Sequence, residues 1–238
     1  MKGLVKRALH GLGFDLVRYQ PPIERSFPVL PYLVRERLNS DFFFVQIGAN
    51  DGIHGDPIHE LVLEHDLAGI LVEPLPDLFD RLQVHYAGRA KLRFENVAIG
   101  SEEGCLPLYR VRPDTPGAPP WWYEIASFDS RMLTKHDIPA DVIETLAVRT
   151  TTFDALIAKH SLDRVDLLQV DTEGYDGVIV RAALASGLRP SIINYESCHL
   201  APHERHRIKQ LLVANDYRFI EIGRDTLAVT FEGEEARL

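Results

Sequence analysis

The sequence predicts an open α/β sheet, mainly parallel and made mixed by an antiparallel hairpin near its carboxyl end. Short, nearly unbroken apolar runs recur at 42–47, 69–72, 165–170 and 192–195, as in strands buried on both faces. Amphipathic stretches alternate with them through short links, the mark of crossover connections and hence of parallel pairing. Two further strand-like segments, 217–222 and 226–231, are close enough to pair as a hairpin.

At the amino end, Leu4, Val5, Ala8, Leu9 and Leu12 have helical spacing but are interrupted by Lys6, Arg7 and His10. That excludes a secretory signal and predicts an N-terminal helical extension. With Lys2, Lys6, Arg7 and Arg18 it carries the charge to touch an anionic membrane surface, although packing on its own domain or on a partner chain is the reading preferred. Pro21, Pro22 and Pro28 mark a linker. Residues 1–30 are therefore the extension and 31–238 the main domain. After the first strand, Asp56-Pro57 reads as a helix start, with Ile58, Leu61, Val62 and His65 on one face. Leu78, Phe79 and Leu82 mark the next helix, closed by Gly88. A third strand is expected over 92–99 and an added hairpin at 106–111. Four prolines, Gly117 and Trp121-Trp122-Tyr123 give 112–124 no period. A strand at 148–152, helices at 153–160 and around Val178–Ala183, and a helix over 202–214 complete the chain.

Composition narrows the function. The chain has 238 residues, 45% hydrophobic and 26% charged, with a net charge of −9. That balance opposes broad nucleic-acid binding, which needs cations to neutralise phosphates. Cys105 and Cys198, the only cysteines, are too few for a disulfide scaffold or a four-thiolate zinc site, so a cytoplasmic compartment is expected. No apolar run approaches the roughly 18 residues of a spanning helix.

The chemistry gathers where strands end. The run 42–47 stops at Gly48-Ala49-Asn50-Asp51-Gly52, where glycines let the backbone approach a ligand and Asn tolerates left-handed angles. Gln46, Glu73, Asn96 and Asp171 sit at or near four strand ends, which share one edge in such a sheet. Glu73 lies about twenty residues past the glycine turn, where a carboxylate accepts ribose hydroxyls. A nicotinamide dinucleotide would need G-x-G-x-x-G, and position 50 is Asn. S-adenosylmethionine, with no phosphate to cradle, suits the turn better.

The ordered set Gln-Ile-Gly-Ala-Asn-Asp-Gly (46–52), Val-Glu-Pro-Leu-Pro (72–76), Asn-Val-Ala-Ile-Gly (96–100), Thr-Thr-Phe-Asp-Ala-Leu (151–156) and Val-Asp-Leu-Leu-Gln-Val-Asp-Thr-Glu-Gly-Tyr-Asp (165–176) resembles the FkbM family. The resemblance spans about residues 42–231. It implies a class I methyltransferase, Rossmann-like fold with a mixed seven-stranded sheet, and S-adenosylmethionine-dependent methylation of a hydroxyl on a sugar or small metabolite. Two residues depart from the wider class: Gln46 replaces its usual acid and Asn50 a glycine. By the resemblance, Gln46, Gly48, Ala49, Asn50 and Gly52 hold the methionine part, Glu73 the ribose, and Asn96 and Val97 the adenine edge. Asp171 lies near the methionine amine and the reacting methyl. Glu173, Tyr175, Glu196, Trp121 and Trp122 are expected to face a small-molecule or glycan acceptor. His199, Asp171 and Glu173 are the candidates to accept its proton.

No metal is expected. His199, His203 and His206 have ligand-like spacing, but His199 should precede the helix that carries the other two. Asp171, Asn194 and Glu196 form a better set than the histidines, suited to Mg²⁺, but the preferred reading turns Asn194 into the sheet and gives Glu196 to substrate or a helix N-terminus. The other readings are a nicotinamide-dependent oxidoreductase and a non-catalytic adapter that retains the fold.

Overall fold

The computed structural model describes residues 27–230. The amphipathic segment at 4–12 and its membrane contact lie outside them. Helix α1 (Val29–Arg37) opens the described chain and buries Leu30 and Val34. Pro28 and Pro31 sit at its start, where the first N–H groups have no helical acceptor to lose. The Arg37 guanidinium donates to the Thr230 carbonyl at 2.7 Å and ties the helix to the far end of the chain.

The elements then run β1 (Phe43–Ile47), α2 (His59–His65), β2 (Ala68–Val72), α3 (Pro76–His85), β3 (Leu92–Glu95), β4 (Ala98–Ile99), β5 (Gly104–Val111), β6 (Ala126–Ser127), α4 (Ser130–Lys135), β7 (Ile143–Thr151), α5 (Phe153–His160), β8 (Leu167–Val170), α6 (Asp176–Ala185), β9 (Ile192–Glu196), α7 (Pro202–Ala214), β10 (Tyr217–Ile222) and β11 (Asp225–Thr230). Seven strands form the main sheet in the order β10-β11-β9-β8-β1-β2-β3. β11 runs antiparallel to β9 and to β10, and the other pairings are parallel. The sheet is thus mixed, as the strand pattern predicts, and seven-stranded, as the resemblance implies. β1 is central, with β2 on one side and β8 on the other, so the strand order reverses beside it. A crevice opens at that reversal, beyond the carboxyl ends of the strands.

Each face of β1 is packed, which is why its sequence is almost unbroken apolar. Val45 and Ile47 join a core with Phe153 of α5, Ile179 of α6 and Ile208 of α7. Phe44 joins a second core with Val34 of α1, Leu61 of α2 and Leu82 of α3. The Phe44 ring fills the space that a side chain on Gly69 of β2 would take. α6 and α7 also pack closely, because a Cβ on Gly177 would collide with the Ile208 side chain.

Three local expectations are corrected. The strand expected over 92–99 is two strands, β3 in the main sheet and β4 in a second one. Between them the Asn96 amide donates to the carbonyls of Glu73 and Pro74, which turns the chain away. The expected hairpin at 106–111 is β5, whose principal antiparallel partner is β7, far along the chain. Together β4-β7-β5-β6 form a four-stranded sheet beside the crevice. The helix expected to start at Asp56-Pro57 begins at His59, after a turn in which Asp56 accepts the Ile58 N–H at 2.8 Å.

Candidate active site

The tip of β1 is built on close approach. Gly48 has φ +80°, and a Cβ there would collide with the Asp171 carbonyl oxygen at the end of β8. Only glycine lets the two central strands meet there. Asn50 follows with φ +51°, and its backbone N–H donates to Glu73 at 2.9 Å. The other Glu73 oxygen accepts the Leu75 N–H at 2.8 Å. The carboxylate is thereby aimed by two loops and still borders the cavity. Burial pushes its pKa up to about 7, against the pull of these two donors.

A cavity of about 450 Å³ runs along the carboxyl edge of the main sheet, within the range of small-ligand sites. It is lined by Glu73 and Val97 on the β2 and β3 side, by Gln46, Gly48, Ala49 and Asn50 at the tip of β1 between, and by Asp171, Glu173, Tyr175 and Glu196 on the β8 and β9 side. Leu75, Leu78, Val97 and Leu108 make an apolar slot beside Glu73, suited to a flat ring. Gln46 is buried and its Oε1 has no hydrogen-bond partner. An orphaned acceptor on a cavity wall awaits a donor from a ligand. Glycine at the tip, an aimed carboxylate, an apolar slot and a free amide oxygen fit a ribose-bearing cofactor.

Several expected residues stand elsewhere. Gly52 and Asn96 do not line the cavity. Gly52 makes room for α3: a Cβ there would lie 2.6 Å from Leu82 and 2.7 Å from Tyr86. Asn96 acts one step back, holding the loop that carries Glu73. Trp121 and Trp122 lie on a short 3-10 helix (Pro120–Glu124), also off the cavity wall. His199 is likewise off the wall, but it touches two residues that form it. His203 and His206 are exposed on α7. Asn194 is buried and donates to Gln169 at 2.9 Å.

The end at β8 and β9 is crowded with acids. Asp171 opens onto the cavity and is enclosed by protein on its other sides. Burial, with the charges of Glu196, Asp176, Glu173 and Asp225, raises its pKa well above the ordinary value. Burial and then the Glu173 charge push Glu196 up to about 7. His199 Nε2 lies 3.1 Å from Glu173 Oε2 and 3.4 Å from Glu196 Oε2. Its hydrogen bond to Glu173 raises the imidazole pKa. Arg224 pairs with Glu196 at 2.7 Å. The cluster can take up a proton and spread the resulting charge over several partners.

Two residues that shape the site escaped the sequence reading. Asp51 accepts the N–H groups of Ile53 and His54 and fixes the glycine turn from inside. Asp176, fully buried at the start of α6, accepts from the Thr172 hydroxyl, the Gly174 N–H and the Glu196 N–H. It thereby joins the loop after β8 to the end of β9. An acidic residue within two or three positions of a glycine turn is the only sequence signal for either.

Comparison with known proteins follows the same lines. The family model described as Methyltransferase FkbM domain matches residues 46–219. A search of curated proteins found no match. Among solved structures, an SAH-bound methyltransferase from Podospora anserina, PaMTH1, shares 10% identity at a TM-score of 0.46, covering 85% of this chain and 76% of its own. The O-methyltransferase TomG from Streptomyces achromogenes, in complex with SAM, shares 12% at 0.44, covering 96% and 88%. A fibrillarin pre-rRNA processing protein from Methanococcus jannaschii shares 10% at 0.44, covering 88% and 71%. Among the described residues, no helix is long and apolar enough to cross a membrane.

Proposed function

The chain belongs to the FkbM methyltransferase family, whose methyl donor is S-adenosylmethionine, and from that premise we propose methyl transfer to a hydroxyl of a sugar or small metabolite. The observation that carries this reading is the polarity of the cavity along its length. A carboxylate aimed by two backbone donors stands at one end, and a histidine between two carboxylates adjoins the other. The first suits a ribose diol and the second suits proton removal from an acceptor.

When bound, S-adenosylmethionine supplies a methyl on a sulfonium sulfur; the acceptor oxygen forms the new C–O bond as the C–S pair returns to sulfur. The chain's own task is therefore alignment and disposal of one proton. In this proposal Glu73 holds the ribose, Val97 lies along the adenine, and Gln46 and Asp171 meet the methionine end. His199 accepts the hydroxyl proton at Nε2, and Glu173 and Glu196, 3.1 and 3.4 Å from that nitrogen, balance the charge gained. Tyr175 lines the acceptor end, where its ring meets Phe128 edge-on at 5.4 Å between centroids.

That end argues against a polyanionic acceptor, because Asp171, Glu173, Glu196 and Asp225 outnumber Arg224 there and offer a phosphate little to pair with. A small hydroxylated acceptor fits better. The test is a screen of glycans and metabolite extracts with methyl-labelled cofactor, followed by mass spectrometry. O-methylated small products are expected. Label found only in RNA or on protein nitrogens would overturn the acceptor class.

A further inference from the structure

Three segments remote in sequence bring nitrogen and oxygen donors together beside the acceptor end of the cavity. His136 follows α4, Glu173 lies in the loop after β8, and His199 lies in the turn after β9. One donor atom from each lies within 4.8 Å of the other two. The His136 and His199 rings meet edge-on, 5.1 Å between centroids.

His136 Nε2 is shut off from solvent and has no hydrogen-bond partner in the described structure. Glu173 Oε2 and Glu196 Oε2 are shut off likewise and compete for His199 Nε2, at 3.1 and 3.4 Å. Buried polar atoms are rarely left so, and each calls for a missing partner.

The contacts at His199 Nε2 also conflict. An Arg224 guanidinium nitrogen 2.8 Å away can only donate, so it needs the imidazole lone pair. Glu173 Oε2, 3.1 Å away, needs an N–H on the same atom when ionised. One nitrogen cannot serve both. A Lewis acid would satisfy His199 Nε2, Glu173 Oε2 and His136 Nε2 together. Arg224 has somewhere else to go, because its side chain is largely exposed and already pairs with Glu196 Oε1 at 2.7 Å.

We propose that His136, Glu173 and His199 form a binding site for a divalent transition-metal ion of the Zn²⁺ type, whose occupancy opposes methyl transfer. Two imidazoles and one carboxylate suit such an ion better than Mg²⁺. Bonds of about 2.0–2.1 Å in a tetrahedral arrangement put ligand atoms roughly 3.3 Å apart. The 3.1 Å between His199 and Glu173 is near that spacing, with the fourth position left to water. The ion would occupy the lone pair that His199 needs to accept a proton, and would pin the segment bearing His136 over the acceptor end. This last clause rests on the reading of His199 as the base; the binding site itself does not.

The experiment is titration of the purified, chelator-treated protein with Co²⁺, followed by its visible ligand-field bands, and with Zn²⁺ by calorimetry. Neither needs an acceptor or turnover. One ion per chain is expected, undisturbed by excess Mg²⁺. Affinity should fall by at least about 100-fold in His136→Ala and again in His199→Ala. Retained S-adenosylmethionine binding shows that each variant is folded. No saturable binding, unchanged affinity in both folded variants, or displacement by Mg²⁺ would overturn the site. Once an acceptor is known, Zn²⁺ should inhibit and a chelator restore the rate, and stimulation would refute the antagonism. Failure to find a methylated product would leave the binding result standing, so the two readings fail separately.

Discussion

Glu73→Ala removes a carboxylate whose setting allows its loss to be sized. The Asn50 and Leu75 N–H groups occupy one lone pair on each oxygen and leave acceptor capacity toward the cavity. Hydrogen bonds to a charged acceptor contribute about 1.5–3 kcal/mol, so S-adenosylmethionine affinity should weaken roughly 10- to 150-fold. Proton linkage gives a second signature. Burial raises the Glu73 pKa from 4.5 to about 7 in the free protein. The stability it contributes is therefore full below pH 4.5 and lost as pH rises through 7, a swing of about 3 kcal/mol. Ribose hydroxyls donate to the ionised form, so cofactor binding must expel a proton below pH 7. Wild-type affinity should then fall toward pH 6, and both pH dependences should flatten in the variant. Calorimetry of cofactor binding at pH 6 and 8, with thermal unfolding alongside, measures all of this. A folded Glu73→Ala protein with wild-type affinity at both pH values would refute the reasoning and remove Glu73 from the cofactor site.

Three further substitutions probe other parts of the argument. Gly48→Ala puts a methyl into the Asp171 carbonyl at positive φ; cofactor binding should be abolished and the melting temperature lowered, and a protein unchanged in both would deny the close approach of β1 and β8. Asp176→Ala leaves the buried Glu196 N–H without its acceptor, so chemical denaturation should report a loss of about 1–3 kcal/mol, against none if water takes the place. His199→Ala, assayed with saturating cofactor and an identified acceptor, should lower kcat by about 10²–10⁴ with cofactor affinity unchanged; a drop of only a few-fold would pass the role of base to Glu173.

The central strands were legible because burial on both faces removes polar residues from them. β1 and β8 have every residue buried or nearly so, and such runs stand out in a sequence. The second sheet had no comparable signal. β5 carries Pro107 and mixes exposed with buried positions, and β7 does the same over nine residues. Their pairing joins Gly104 to Thr150 across the whole insertion, which no local pattern encodes. The break at Asn96 was hidden for a related reason. A side-chain amide that captures two carbonyls from the loop after β2 ends β3, and nothing in Asn-Val-Ala-Ile announces those partners.

The β1 part of the site was more legible than the β8 and β9 part, and backbone geometry explains the difference. Glycine and a tolerant Asn mark the tip of β1 because the chain itself takes positive φ there. The tip of β8 makes the same kind of turn at Glu173, φ +51°, a residue with no intrinsic liking for it. Left-handed angles cost a non-glycine residue roughly 1–2 kcal/mol. Here the conformation is held by tertiary contacts: Ser127 of β6 donates to the Glu173 carbonyl at 3.0 Å, and Asp176 accepts the next N–H at 3.3 Å. The result sets the Glu173 carboxylate against His199 rather than into solvent. Strain kept at a position where glycine would fold more easily is an argument that the side chain is needed there. This part of the site is thus assembled by β6, the β8 loop and the β9 turn acting together, and only the folded chain brings those pieces into one place.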